Sequence, residues 1–575
     1  MGVKLSNLNT LADLVFYIQE NANNSRFLNY LKDGAWINIS TKEFCYKIYG
    51  LAKNLQKLGV KKGDRVALFG DSSPSWLICD LSCQLLGAAT VPMFTNISHK
   101  NLSYQLNHSK VKYAFVIGGE KWQTVKPYIG QFKYVFTHEF RTKHDKTISI
   151  SNFLEEYDTH VKFNALSKDI KKSDIATIIY TSGSTGMPKG VCLTHQNLIS
   201  QVKDANILYP LHKKDIILSY LPLAHIFERM VLYFYLSNNV AIYFADEVNN
   251  VPELLKEIKP TVMTTVPRLL EKIHAKIIFN ISESAITKKA IARFAIWYAI
   301  KLPEKLQNFC LLRKIFHKLV YKKLLMVFGG NIRIMISGGA PLSPGIYSFF
   351  SKIGLNIYQA YGLTEASPGI SGNCPKTHKI FSAGKKFPSV EVKIDKNGEI
   401  LAKGPNIMFG YLNNKQETNN VIKRGWLKTG DLGYIDEEGY LYITGRIKEL
   451  QKTSTGKYIQ TIEIEQQLKQ IPFVDNAMVV ADKQKFATAI LFPDFPLVKN
   501  KKLLSKELEE IISKHLVDIN KNFNDWEKVR GFHIAKQAPT IENEELTPSM
   551  KLRRHIILEN YSKAIDKMYK VSINS

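Results

Sequence analysis

The segment Tyr180 to Gly190, YTSGSTGMPKG, concentrates small residues, hydroxyls and one lysine in a pattern suited to holding a nucleotide's phosphates. Thr181, Ser182, Ser184 and Thr185 supply hydroxyls, Gly183 and Gly186 permit positive φ, and Lys189 adds a point charge. Loops of this composition turn backbone N–H groups toward phosphate oxygens. The spacing is not that of the common phosphate loop GxxxxGK[ST], because Pro188 precedes Lys189 and Gly190 stands where a magnesium-binding hydroxyl is needed. A kinase-like or GTPase-like reading is therefore poor. Read with YGLTE at Tyr361 to Glu365, the segment points to chemistry on ATP. The plain alternative is an ordinary turn, since Gly-Ser-Thr clusters between periodic segments are usually that.

Such a loop needs a rigid frame. ATIIY before it reads as a buried strand, and VCLTHQNLI after it as a strand turning into a helix, which puts the loop at a strand end where α/β proteins hold ligands. VALFGDSSPSWLICDLSCQLLGAATVPMF, from Val66 to Phe94, alternates strand, helix and strand. VKYAFVIGG, YVFTHEF, DIILSYLPL, VAIYFAD and PTVMTTVP continue the pattern, which argues for a mostly parallel α/β architecture. From Ser382 to Arg446 glycines, turns and short strands dominate, with VEVKIDKNGEILAKG as hairpin material. Beyond Arg446 the composition shifts to a small α+β unit.

A chain of 575 residues exceeds what one core serves, and 45% hydrophobic with 22% charged residues makes it globular rather than disordered. The net charge of +27 attracts polyanions: phosphate-rich substrates, anionic lipid surfaces or nucleic acid. Nucleic acid is the weakest of these, because the basic residues are spread out and no zinc-finger, RNP-type or basic-zipper pattern is present. Ala285 to Met326 is an exception, with ten Lys or Arg residues and one acid, Glu304, among apolar residues at helical spacing. Pro303 is expected to divide it into two basic amphipathic helices, which either pack on the protein or lie on an anionic membrane. No secretory signal or transmembrane helix is expected, and Met230 to Ala245 is broken by Ser237, Asn238 and Asn239. The expected location is cytoplasmic, with peripheral contact at the inner face of a membrane open. Gly2 and Ser6 fit only the loose myristoylation pattern. Cys79 and Cys83, four apart on an apolar helix, suggest core packing rather than zinc or a disulfide.

With these motifs in order, the chain resembles the adenylate-forming (AMP-binding) superfamily, and within it the long-chain fatty acid CoA ligases. The resemblance runs from about Leu11 to Arg554 and rests on LPLAHIFER (Leu221 to Arg229), VPRLLEKI (Val266 to Ile273), ISGGAPLS (Ile336 to Ser343), GWLKTGDLG (Gly425 to Gly433), GRIKEL (Gly445 to Leu450), GKYI (Gly456 to Ile459) and LTPSMKLRR (Leu546 to Arg554). It implies a large N-terminal adenylation domain, 1–445, built of α/β sheets plus a small β-barrel-like subdomain. A hinge at 446–448 and a small mobile α+β C-terminal domain, 449–575, would follow.

The implied reaction has two steps: a fatty carboxylate attacks the α-phosphate of ATP, giving acyl-AMP and pyrophosphate, and the CoA thiol then displaces AMP. The resemblance assigns the phosphates to Thr181, Ser182, Gly183, Ser184, Thr185, Gly186 and Lys189. It assigns magnesium to Glu365 and Thr185, the α-phosphate to Thr364, and the adenine to Gly338, Gly339, Ala340 and Tyr361, with Gly362 also in the ATP site. Asp431 and Arg446 would contact ribose, His225 the acyl carboxylate, and Lys551 would bridge carboxylate and phosphate during adenylation. Lys448 occupies the hinge position, and the Gly456 loop would approach the CoA channel. Thr461 stands where relatives often carry proline, and Gly445 where many long-chain enzymes carry aspartate, which leaves the CoA half-reaction less secure. Two alternatives stay open: an acyl-AMP ligase that loads a carrier protein or other acceptor, and a membrane-associated lipid-binding protein with vestigial chemistry.

Overall fold

The computed structural model describes residues 4–155, 166–181, 187–301 and 311–571. Ser182, Gly183, Ser184, Thr185 and Gly186 lie outside the described residues, as do Pro303, Glu304 and Gly2.

Two large sheets form the body of the N-terminal part. The first has nine strands, in the order 385–386, 369–372, 357–362, 334–337, 262–265, 216–219, 241–244, 28–32 and 35–39. Its interior pairs are parallel, and the antiparallel pairs lie toward the two ends. The second has eight strands, in the order 410–411, 189–194, 175–181, 89–93, 65–69, 113–117, 134–138 and 147–149. Strands such as Tyr113–Ile117 and Ile334–Ser337 are buried along their full length, which explains their continuous apolar runs. A five-stranded antiparallel sheet over residues 391–446 stands where the barrel-like subdomain is expected, and its hairpin pairs Glu391–Ile394 with Glu399–Lys403. The C-terminal part adds a two-stranded and a three-stranded sheet with helices. The whole is an α/β architecture with a large N-terminal body and a smaller C-terminal domain, as expected.

The hydroxyl-rich segment joins two antiparallel strands, Ile175–Thr181 and Lys189–Thr194, with Thr181 opposite Lys189. The helix His195–Leu208 begins only after the second strand, capped by the Thr194 hydroxyl, which accepts from the Asn197 N–H.

The helix Ile226–Ser237 packs between the large sheets, and every residue in it is buried. Its Arg229 is fully enclosed and pairs with Asp80 of the helix Pro74–Leu85. Arg229 also donates to Tyr233 Oη at 2.7 Å and to the hydroxyls of Thr177 and Thr90, both at 2.7 Å. A buried guanidinium is tolerated only when its donors are satisfied, and this one locks the helix to two strands of the eight-stranded sheet. Cys79 and Cys83 are wholly buried, and desolvation raises both thiols well above their ordinary range. They are packing residues.

The basic segment forms the helices Ile286–Lys301 and Leu311–Phe316, while the expected break at Pro303 falls outside the described residues. Ala295, Tyr298, Phe316 and Tyr321 face inward, whereas Phe294, Trp297 and Leu319 are each about half exposed, at 52%. No helix among the described residues is long and apolar enough to cross a membrane.

Candidate active site

A cleft of about 3130 Å³ runs between the N-terminal sheets and the C-terminal domain. It gathers Thr181, Lys189, His225, Gly338, Gly339, Ala340, Tyr361, Gly362, Thr364, Glu365, Asp431, Arg446, Lys448 and Lys551 on its walls. Gly456, at the turn of the hairpin Leu450–Lys452 with Tyr458–Gln460, is not among the lining residues.

Asp431 is 7% exposed, and each of its carboxylate oxygens accepts one protein hydrogen bond. Tyr361 Oη donates to Oδ2 and Arg446 Nε to Oδ1, both at 2.7 Å. A carboxylate oxygen has two acceptor positions, so this grip orients Asp431 and leaves a lone pair on each oxygen suited to a diol. Strand pairing fixes the spacing, since Asp431 and Arg446 are direct partners across the antiparallel pair. Gly362 is demanded by packing, because a Cβ there would meet the Pro368 carbonyl oxygen at 1.9 Å.

The phosphate and metal candidates are joined by residues that no motif in the sequence singles out. Tyr411 lies on the short strand Gly410–Tyr411, which pairs with Lys189–Thr194. Its hydroxyl donates to Glu365 Oε1 at 2.8 Å, and its ring carries the Lys189 ammonium 5.1 Å from the centroid. Lys189 also forms a close ion pair with Glu417 of the helix Lys415–Val421, and that contact holds the Glu417 carboxyl below its ordinary pKa. Burial, then the Glu365 carboxylate, pushes the Tyr411 phenol far above its usual range, so it stays a neutral donor. Nothing in the spacing of GYLNNKQET signals this hub; only strand pairing brings it to Lys189.

His225 caps the helix Ile226–Ser237, its Nδ1 accepting from the Phe227 N–H at 3.2 Å. Burial, and then repulsion from Lys551, lowers its pKa to about 4. The neutral ring assigned by that hydrogen bond carries its proton on Nε2, free to donate. Phe227, Met230, Val231, Phe234, Ile278 and Phe349 supply apolar walls to the same cleft.

Lys551 enters from the C-terminal domain. A tight loop presents it, the Lys551 N–H donating to Thr547 Oγ1 at 3.0 Å and the Thr547 N–H to the Lys551 carbonyl at 2.8 Å. Its Nζ lies 3.4 Å from the Gly339 carbonyl oxygen. Although the residue is exposed overall, desolvation by the cleft walls and repulsion from Arg446 lower its pKa.

The family described as AMP-binding enzyme matches residues 18–412, and the AMP-binding enzyme C-terminal domain matches 450–572. The chain belongs to the AMP-binding enzyme family. A long-chain-fatty-acid–CoA ligase, FadD15, of Mycobacterium tuberculosis is 32% identical to this AMP-binding enzyme over 94% of the chain and 93% of the relative. Long chain acyl-CoA synthetase 3 of Arabidopsis thaliana is 29% identical over 94% of the chain and 88% of the relative. Among solved structures, an anthranilate CoA ligase with anthranoyl-AMP superposes with a TM-score of 0.75 at 18% identity, covering 98% of the AMP-binding enzyme and 100% of that chain. O-succinylbenzoate CoA synthetase of Bacillus subtilis, with ATP and magnesium, superposes with a TM-score of 0.70 at 23% identity, covering 94% and 98%. At those identities the structures speak to the fold of the AMP-binding enzyme alone.

Proposed function

We propose that the protein activates a medium- or long-chain fatty acid to acyl-AMP and then to acyl-CoA. The observation that carries this reading is the convergence of Lys551, His225, Asp431, Lys189 and Glu365 on one cleft with apolar walls. In the first step a carboxylate oxygen bonds to the α-phosphorus and the bond to pyrophosphate breaks. Carboxylate and polyphosphate repel, so the step needs cations and orientation. Lys551 supplies a mobile point charge between them, Lys189 faces the departing phosphates, and His225 Nε2–H donates to the acyl carboxylate. Asp431, held by Tyr361 and Arg446, accepts from the ribose diol. In the second step the CoA sulfur bonds to the acyl carbon and AMP leaves with the electron pair.

Glu365 fits magnesium, which takes one or two carboxylates and completes its shell with phosphate and water. Glu365 would hold the ion jointly with the nucleotide's phosphates. That ion would neutralise phosphate charge.

Residues 446–448 serve as hinge, running from the end of the strand Leu441–Arg446 into the single turn Ile447–Glu449 that carries Lys448. Rotation there would withdraw Lys551 and bring the exposed Gly456 hairpin toward the CoA thiol. CoA is the favoured acceptor because the relatives matched over most of the chain are CoA ligases. Vestigial chemistry is not favoured, since the five charged or polar groups above line a single cleft.

The deciding experiment supplies ATP, magnesium, CoA and palmitate or oleate. The expected result is loss of CoA thiol with matching release of AMP; acyl-AMP without thioester would overturn the ligase reading and favour another acceptor. A profile over acyl lengths fixes the substrate. We further propose that the exposed Phe294, Trp297 and Leu319, beside Arg313, Lys314, Lys318 and Lys322, touch an anionic membrane surface from the cytoplasmic side. Flotation with anionic liposomes should fall when those four charges are reversed, and unchanged flotation would refute the contact.

A further inference from the structure

Lys551 reaches the cleft only because the C-terminal domain sits against the N-terminal body, and among the described residues few polar contacts hold it there, one of them the long Lys100–Glu544 ion pair at 3.6 Å, whose lysine is largely exposed. Arg268, in the first turn of the helix Pro267–Ser282, donates from Nη2 to both oxygens of Asp475, at 3.0 and 2.9 Å. Asn476 Nδ2 donates to Asp475 Oδ2 at 2.8 Å and steadies that carboxylate. At the far end of the same helix, Lys501 Nζ stands 4.3 Å from the centre of the Phe279 ring. Gln470 Nε2 donates to Ser343 Oγ at 2.9 Å, and Asn96 Nδ2 to the Pro548 carbonyl at 3.1 Å.

The helix Pro267–Ser282 therefore grips the C-terminal domain at both ends while Leu269, His274 and Ile278 line the cleft. Its grip is soft. The side chains of Arg268 and Asp475 are 38% and 29% exposed, and half-exposed ion pairs are individually weak. Softness suits a contact that must break once per turnover, because a fully desolvated pair would trap the domain.

We infer that Arg268 and Asp475 form the principal latch for the orientation that delivers Lys551, with Lys501 on Phe279 as its second point. Both are positioning residues that act through Lys551, so the inference rests on the adenylation role proposed for that lysine. Loosening the latch lowers the population of the adenylating orientation and leaves the site groups in place.

The test compares two half-reactions. Arg268→Asp and Asp475→Arg should each lower fatty-acid-dependent pyrophosphate exchange two- to tenfold. Thioester formation from supplied acyl-AMP and CoA should stay the same or rise, and the melting temperature should not change. The double exchange Arg268→Asp with Asp475→Arg should recover most of the pyrophosphate exchange, which shows that the two charges act as a pair, while loss confined to one half-reaction is what a merely structural role would not produce. Equal losses in both half-reactions, or no recovery in the double variant, would overturn the latch. Lys551→Ala run alongside separates the two ideas. Wild-type exchange in that variant sinks the adenylation role itself, whereas lost exchange there with normal exchange in Arg268→Asp sinks only the latch.

Discussion

The ammonium of Lys551 lies 3.4 Å from the carbonyl oxygen of Gly339, a residue 212 positions earlier in the chain. One wall of the cleft is thus fixed backbone, and the charge opposite it arrives on the C-terminal part of the chain. On the role proposed for Lys551, adenylation depends on domain placement as well as on the groups themselves.

Lys551→Ala should lower pyrophosphate exchange by about 100-fold or more, the scale expected when one preplaced charge is taken from a developing anion. Thioester formation from supplied acyl-AMP should stay within a few-fold of the parent. Single-turnover assays of each half-reaction check this.

Glu417→Gln should lower the KM for ATP. Lys189 is paired with Glu417, so polyphosphate must compete with a carboxylate for the same ammonium. For a partly exposed pair the competition is worth about 0.5–1 kcal/mol, or roughly two- to fivefold in KM. A higher KM would mean that Glu417 places the lysine and does not restrain it.

Asp80→Asn should destabilise the fold by about 3–5 kcal/mol, because Arg229 would keep a full charge with no exposed surface and no counter-ion. Denaturant unfolding measures this. His225 starts the same helix, so adenylation should weaken in step with the lost rigidity.

Acid should destabilise the native state through His195, which is buried, and the part-buried His138 and His225. Desolvation lowers His195 to about 4, and His138 and His225 are lowered to about 4 as well. Above the ordinary value near 6.5 both folded and unfolded chains hold neutral rings and no penalty exists. As pH falls from 6.5 toward 4 the unfolded chain binds protons that the native chain refuses, and stability drops until the native rings titrate too. His195 has no exposed surface and accepts from the Leu11 N–H at 3.2 Å, so Gln can replace its acceptor. His195→Gln should reduce the fall in melting temperature between pH 7 and 5; an unchanged fall would assign the effect elsewhere.

Much of the architecture is legible along the chain because buried parallel strands must be continuously apolar. DIILSYLPL, VAIYFAD and PTVMTTVP contain the strands Ile216–Ser219, Ala241–Phe244 and Val262–Thr265, which lie side by side in one sheet. The hairpin around the phosphate segment is less legible, since a short apolar run states that a strand is buried but not which neighbour it pairs with or in which direction.

Local sequence also carries the chemical groups of the site. Thr181, Lys189, Glu365, Asp431 and Arg446 sit in short motifs whose backbone geometry those motifs themselves dictate, as Gly362 illustrates by admitting no side chain against Pro368. Tertiary structure alone decided their partners. Tyr411 meets Lys189 through strand pairing, Glu417 through the helix after it, and Arg268 meets Asp475, 207 positions later, across the domain boundary. Sequence fixes what each side chain can do; long-range contacts are chosen by how whole elements pack, and no local spacing records that choice.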